Sequence, residues 1–171
     1  MKKYIIIVLM LLITVSFWNC EKDDLCAEST PTTPQVVIKC YDALNPDVLK
    51  NVTNLQYYEV DDAGNGIGDT LEIISASEIK VPLKTFQNSN TVRFKLILNG
   101  SDTEPTNDIT DFIRFNYTKE EIYISRACGY KTNFELDPIN GFEKTTNWIL
   151  VGGIVNYSIT DENEAHVKIY F

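Results

Sequence analysis

From Val36 to the end of the chain, apolar and polar positions alternate in short runs. Val92, Phe94 and Leu96 interleave with Arg93 and Lys95 in one of them. Period-two alternation gives a strand with one buried and one wet face, the habit of an antiparallel sheet. Comparable runs fall at 36–42, 55–60, 71–75, 78–83, 91–98, 109–118, 121–128, 154–159 and 165–171. Turn-forming clusters separate them: Asn45-Pro46-Asp47, residues 61–69, 87–90 and 99–101, Thr118-Lys119-Glu120, and Asp161-Glu162-Asn163. Strands punctuated this regularly predict an all-β fold, an antiparallel β-sandwich of about 7–9 strands, Ig-like or transthyretin-like. Short helical turns are expected at 43–50 and 145–150. The last run places Ala165, Val167, Ile169 and Phe171 on one face. It leaves His166, Lys168 and Tyr170 on the other, so His166 is expected in solvent.

The N-terminus breaks the pattern. Lys2 and Lys3 precede an apolar run over 4–18, which ends at Asn19-Cys20 and gives way to Glu21-Lys22-Asp23-Asp24. The run is short of the roughly 20 residues a spanning helix needs. A charged start, a short apolar stretch and a small nucleophile at its exit read as a lipoprotein signal peptide. Phe17 and Asn19 stand where such signals usually carry Leu and a small residue, and no Ala-x-Ala site offers ordinary cleavage. Residues 1–19 are therefore expected to be the signal peptide, and 20–35 a lipidated Cys20 with a polar tether. The β-sandwich domain is expected at 36–171.

Charge and cysteines refine this. The chain carries 15 basic and 24 acidic residues, a formal net charge of −9, and loss of Lys2 and Lys3 makes the remainder more acidic. Nucleic acid is excluded as a partner, because phosphates demand Lys and Arg clusters. With Cys20 acylated, three of the 4 cysteines remain. An exported chain sits where disulfides persist. Cys40 shares the apolar face of Val36 and Ile38, where a free thiol packs as a small hydrophobe. Cys26 lies in an irregular segment and Cys128 follows a strand, so the expected bridge is Cys26–Cys128.

Motifs for chemistry are sparse. Read as a twelve-residue calcium loop, residues 61–72 put Asp61, Asn65, Asp69 and Glu72 at ligand positions. Ala63 removes one ligand, and the flanks read as strands rather than helices, so the plainer reading is a Gly-rich hairpin with solvated carboxylates. There is one histidine, no Gly-x-Ser-x-Gly elbow, no Cys-pair metal spacing and no phosphate loop. An enzyme is not expected, nor a cofactor. Tyr57, Tyr58, Tyr117, Tyr123, Tyr130 and Trp148 can form a sugar or peptide platform, or cover core edges.

The segments Cys26 to Pro34, Arg126-Ala127-Cys128-Gly129-Tyr130-Lys131 and Glu162 to Phe171 resemble an uncharacterised lipoprotein family of Flavobacteria and related Bacteroidota. The resemblance covers essentially the whole chain after the signal. It implies a bacterial lipid anchor and is consistent with the Cys26–Cys128 pairing, but it brings no activity. Within that group, Lys22-Asp23-Asp24 resembles a surface-export signal, and Asp69-Thr70-Leu71 resembles an O-glycosylation acceptor at Thr70. The expectation is a non-enzymatic outer-membrane lipoprotein, on the periplasmic face or the cell surface. It would hold the membrane by its anchor and bind a protein partner, an outer-membrane β-barrel or another envelope protein. The alternative is glycan binding.

Overall fold

A computed structural model describes residues 4–5, 25–27, 29–85 and 90–171. Cys20, Lys22, Asp23 and Asp24 lie outside the described residues. Among those described, no helix is long and apolar enough to cross a membrane. The fold is all-β. Its strands are β1 (Val36–Tyr41), β2 (Val52–Val60), β3 (Gly66–Ala76), β4 (Glu78–Val81), β5 (Thr91–Leu98), β6 (Ile109–Ser125), β7 (Gly129–Leu136), β8 (Phe142–Lys144), β9 (Val151–Ile154), β10 (Ser158–Ile159) and β11 (Val167–Tyr170). Eleven described strands exceed the expected number, because several short ones carry too few residues to show a period.

The strands form two sheets. A 4-stranded sheet has the order β4-β1-β11-β9, and a 7-stranded sheet the order β10-β7-β6-β5-β2-β3 with β8 beside β6. β1 and β11 run parallel, with Ile38 opposite Val167 and Cys40 opposite Ile169, whereas β1 with β4, β11 with β9, β2 with β3 and β5, β5 with β6, β6 with β8 and β7 with β10 are antiparallel. Ile38, Ile79 and Ile169 of the smaller sheet share one buried cluster with Leu55, Phe94, Leu96, Phe115, Phe134 and Leu136 of the larger. The sandwich arrangement follows from those two apolar faces. Two buried tyrosines tie its layers: the Tyr57 hydroxyl donates to the Lys80 carbonyl at 3.1 Å, and the Tyr117 hydroxyl accepts from the Lys84 N–H at 2.8 Å. The strand β11 lies inside its sheet, between β1 and β9.

Several sequence expectations need correction. Thr118-Lys119-Glu120 is not a turn but the middle of the 17-residue strand β6. The chain reverses at Arg126-Ala127-Cys128 instead, where Gly129 supplies φ +70°. Residues 43–50 and 145–150 contain no helix; a 3-10 turn lies at Pro105–Asn107. The stretch expected as loop through Asp69 becomes strand from Gly66. In β2 the buried set shifts from Val52 to Leu55 and Tyr57, then to Val60. Asn54 at φ 49° re-aims the first part of β2, and opposite Tyr57–Glu59 the partner strand β3 bulges, with Gly68 at φ 82° between Ile67 and Leu71.

His166 is the largest correction. It is buried, not solvated. Its Nδ1 accepts the Val37 N–H at 2.9 Å, and its own N–H donates to the Val37 carbonyl at 2.9 Å. Beside it, Glu162 accepts the Gln35 N–H at 2.8 Å and pairs with Lys80 at 2.8 Å. This clasp holds the entry to β1. Its acceptor role keeps His166 neutral, and burial holds its pKa below the usual imidazole value.

Residues 123–130, with the described residues up to Thr30, form a separate compact unit. Within it Cys26 and Cys128 are disulfide-bonded across a Cα–Cα distance of 5.0 Å. Cys40 is the free, buried thiol, as expected from its strand parity.

Candidate functional site

The structure scatters most of the expected site residues. Asp61 turns inward on its own hairpin, accepting from the Asn65 backbone N–H at 2.8 Å and the Asn65 side-chain amide at 2.9 Å. Those bonds hold its carboxyl below the usual range. Asp69 lies in the bulged stretch of β3 between Ile67 and Leu71, whereas Glu72 beyond it pairs in register with Gln56. Among the described residues no group of three or more His, Cys, Asp or Glu side chains is placed to hold a metal ion. Tyr57, Tyr117 and Trp148 belong to the core, which removes half of the aromatic platform, while Tyr123 and Tyr130 are exposed. Thr70 is exposed on β3, an edge strand of the larger sheet.

The cations of one outer groove are internally satisfied. A groove of about 230 Å³ is lined by Arg93, Phe112, Arg114, Glu143 and Lys144. Arg93 lies 4.2 Å over the Phe112 ring and donates to the Asp62 carbonyl at 3.0 Å. Arg114 pairs with the Asp62 carboxylate at 2.7 Å. The Lys144 ammonium donates to the Ile149 and Leu150 carbonyls and to Thr146. These cations brace loops and leave no charge aimed at a ligand.

The edges of the sheets tell more, because an edge strand exposes unpaired backbone that proteins usually guard. β4 is short and carries Glu78 and Lys80; β3 carries Asp69, Glu72 and a bulge; β10 has only two residues. β9 is different. It reads Val-Gly-Gly-Ile, and no charged residue occurs anywhere in 148–160. It pairs with β11 on one side and with no described strand on the other. Val151 is 59% and Val155 52% exposed, with Leu150 and Tyr157 exposed beside them.

This edge is held rigidly from behind. Asp111 sits at an inward position of β6, fully buried. Its carboxylate accepts from the Thr145 hydroxyl and from the backbone N–H groups of Asn147 (3.0 Å), Trp148 (2.7 Å) and Ile149 (2.8 Å). The Trp148 ring meets Phe171 edge-on at 5.2 Å. The segment leading into β9 is thus fixed at three places. Sequence reading missed Asp111. The signal was present: an acid in phase with Ile113, Phe115 and Tyr117 must be buried, and a buried carboxylate must have donors.

The sequence model of DUF6452, a family of unknown function, matches residues 51–171. The chain belongs to this family. The matched span starts one residue before β2, so β1 lies upstream of it although β1 is a central strand of the smaller sheet. Both Asp111 and the β9 edge fall within the DUF6452 span. No curated protein matches the chain, and no solved structure does.

Proposed function

We propose that this DUF6452 chain is a lipid-anchored protein of the bacterial outer membrane whose β-domain binds a protein partner and catalyses no reaction. The observation that supports it is the β9 edge: uncharged, solvent-facing and braced by Asp111. Such an edge suits strand addition, in which an extended segment of the partner supplies backbone hydrogen bonds and places alternate side chains on the sheet. An outer-membrane β-barrel or another envelope protein, with extended loops or termini, is the partner class. Acylation at Cys20, export through Lys22-Asp23-Asp24 and glycosylation at the exposed Thr70 belong to the same reading.

The test is photocrosslinking in cells from a benzoylphenylalanine placed at Val155, with mass spectrometry of the adducts. One dominant envelope protein should be captured, and Val151→Lys should abolish its capture while the domain stays folded. Recovery of only the free chain, under conditions that capture known envelope complexes, would count against the proposal.

A further inference from the structure

The disulfide has a consequence for the membrane. Cys26 is six residues after Cys20, and a fully extended chain covers at most about 3.3–3.6 Å per residue, so the two lie within roughly 20 Å. Cys128 is held 5.0 Å from Cys26, Cα to Cα. The tip of the β6–β7 hairpin is therefore tied close to whatever Cys20 is attached to. Without the bridge, the first tether contact with a strand would be Thr33, whose hydroxyl accepts the Thr132 N–H at 2.9 Å. That tether could reach about 45 Å.

The side chains at this tip suit an interface between water and lipid. Tyr123 and Tyr130 are 58% and 66% exposed, with ring centroids 5.3 Å apart, edge to face. Leu25, next to Cys26, is 87% exposed. Residues 123–130 at the hairpin tip carry Arg126 and no carboxylate, and the acids of the tether are Glu21, Asp23, Asp24 and Glu28. Tyrosines place an apolar ring against acyl chains and a hydroxyl among headgroups, which is why they collect at bilayer interfaces. We propose that Leu25, Tyr123 and Tyr130 seat in the headgroup region of the bilayer that carries the Cys20 anchor. The bridge makes this contact local rather than diffusive, so a small apolar tip suffices to orient the anchored unit. The inference rests on the anchor reading, and its occupant is a lipid surface.

The experiment uses the full processed chain, acylated at Cys20 and reconstituted into phosphatidylethanolamine–phosphatidylcholine vesicles. One variant carries Tyr130→Trp. A control carries Ile139→Trp, at a 90% exposed position outside this unit. The parent supplies the baseline, because Trp148 is buried. The Tyr130→Trp indole should shift to the blue and be quenched by lipids brominated near the headgroup, and the Ile139→Trp indole should do neither. Tryptic cleavage after Arg126 should be slower on the parent vesicles than on vesicles bearing Tyr123→Ser/Tyr130→Ser. A chain that floats with vesicles and takes up an alkyne fatty acid, yet shows no quenching at position 130, overturns the inference alone. A chain that neither labels nor floats overturns the anchor reading and this inference with it. A protein adduct from a photocrosslinker at Tyr130, together with no lipid quenching, assigns the tip to a protein and also overturns it.

Discussion

Replacing Asp111 with Ala should cost about 3–5 kcal/mol of stability. The Asp111 carboxylate collects the Thr145 hydroxyl and three backbone N–H groups. Thr145 and Asn147 are exposed, so water can replace their bonds, whereas Trp148 and Ile149 are buried. Each buried donor left without an acceptor costs roughly 1–3 kcal/mol, and a small void adds to that. Burying the carboxylate costs energy in the parent, which keeps the net figure below the sum of four charge-assisted bonds. Asp111→Asn keeps the shape and one acceptor oxygen, and should cost about half as much. Against a typical stability of about 5–15 kcal/mol the Ala variant stays measurable. In a chain that starts at Cys20, Trp148 is the one tryptophan of the 2 in the sequence, so it reports from the site itself in a urea titration. Amide exchange at Trp148 and Ile149 should accelerate before the rest of the sheet opens. An Ala variant within about 1 kcal/mol of the parent, or an Asn variant less stable than Ala, would refute this account of Asp111.

Removing the bridge with Cys26→Ser/Cys128→Ser should lower stability by about 2–5 kcal/mol, since it closes a loop spanning 102 residues. Peptide mapping without reductant should return the linked Cys26 and Cys128 peptides, with Cys40 alkylated only after unfolding, because burial pushes its thiol up to about 12. Gly152→Val should displace β9, as a Cβ there would sit 2.9 Å from a Phe142 ring carbon, and crosslinking from Val155 should fall with it. His166 has a lowered folded pKa, so its contribution is present above the unfolded value near ~6.5 and is lost as pH falls through that range. The Glu162 contribution is lost lower, below about 4.3, because the Lys80 hydrogen bond first, then burial and the Gln35 N–H, set its net lowered value. Urea midpoints should drop between pH 7.5 and 5 in the parent. They should stay level in His166→Leu, which is weaker at the upper pH; equal slopes in both would remove the clasp from the explanation.

Strand identity was legible in most of the runs that alternate, and the expected run 154–159 divides instead between the end of β9 and β10. Val92, Phe94 and Leu96 face the core as read, and Cys40 is buried beside Ile38. Legibility failed in three ways, each physical. Lys119 and Glu120 looked like a turn because they are charged, but β6 runs on through them toward its tip, so polarity there marks exposure and not chain reversal. In β7 the inward set Thr132, Phe134, Leu136 alternates plainly, but it opens on Thr132 and follows a Gly, and the run escaped notice. His166 reads as exposed only if a strand face is wet along its whole length. The Val37 N–H needed an acceptor at that end, and backbone groups do not show in a hydropathy pattern. The same blind spot hid Asp111. Both residues are polar groups whose partners are main-chain amides from distant elements, and only the topology brings them together.

The β9 edge also carries information about what would bind it. Gly153 stands directly opposite Lys168 of β11. Lacking a side chain, Gly153 leaves the row open between Lys168 and any strand added beyond β9. Strands lie about 4.8 Å apart, so a partner residue paired with Gly153 would have its Cα roughly 10 Å from that of Lys168. A lysine and an acidic side chain reaching toward each other span that gap. Among the described residues Lys168 makes no ion pair; its ammonium lies 5.1 Å over the Tyr41 ring. Its register neighbour Lys39 is a second like charge on the far side of β11, which raises the local potential for an acid. The partner segment should therefore carry Asp or Glu at the position facing Gly153, with apolar residues two positions to either side against Val151 and Val155. Lys168→Glu should weaken crosslinking from Val155 and restore it when the partner's acid is exchanged for Lys. Lys39→Glu, one strand further away, should change it little. Equal loss from both would mean that the sheet's general field, and not an opening over Gly153, selects the partner.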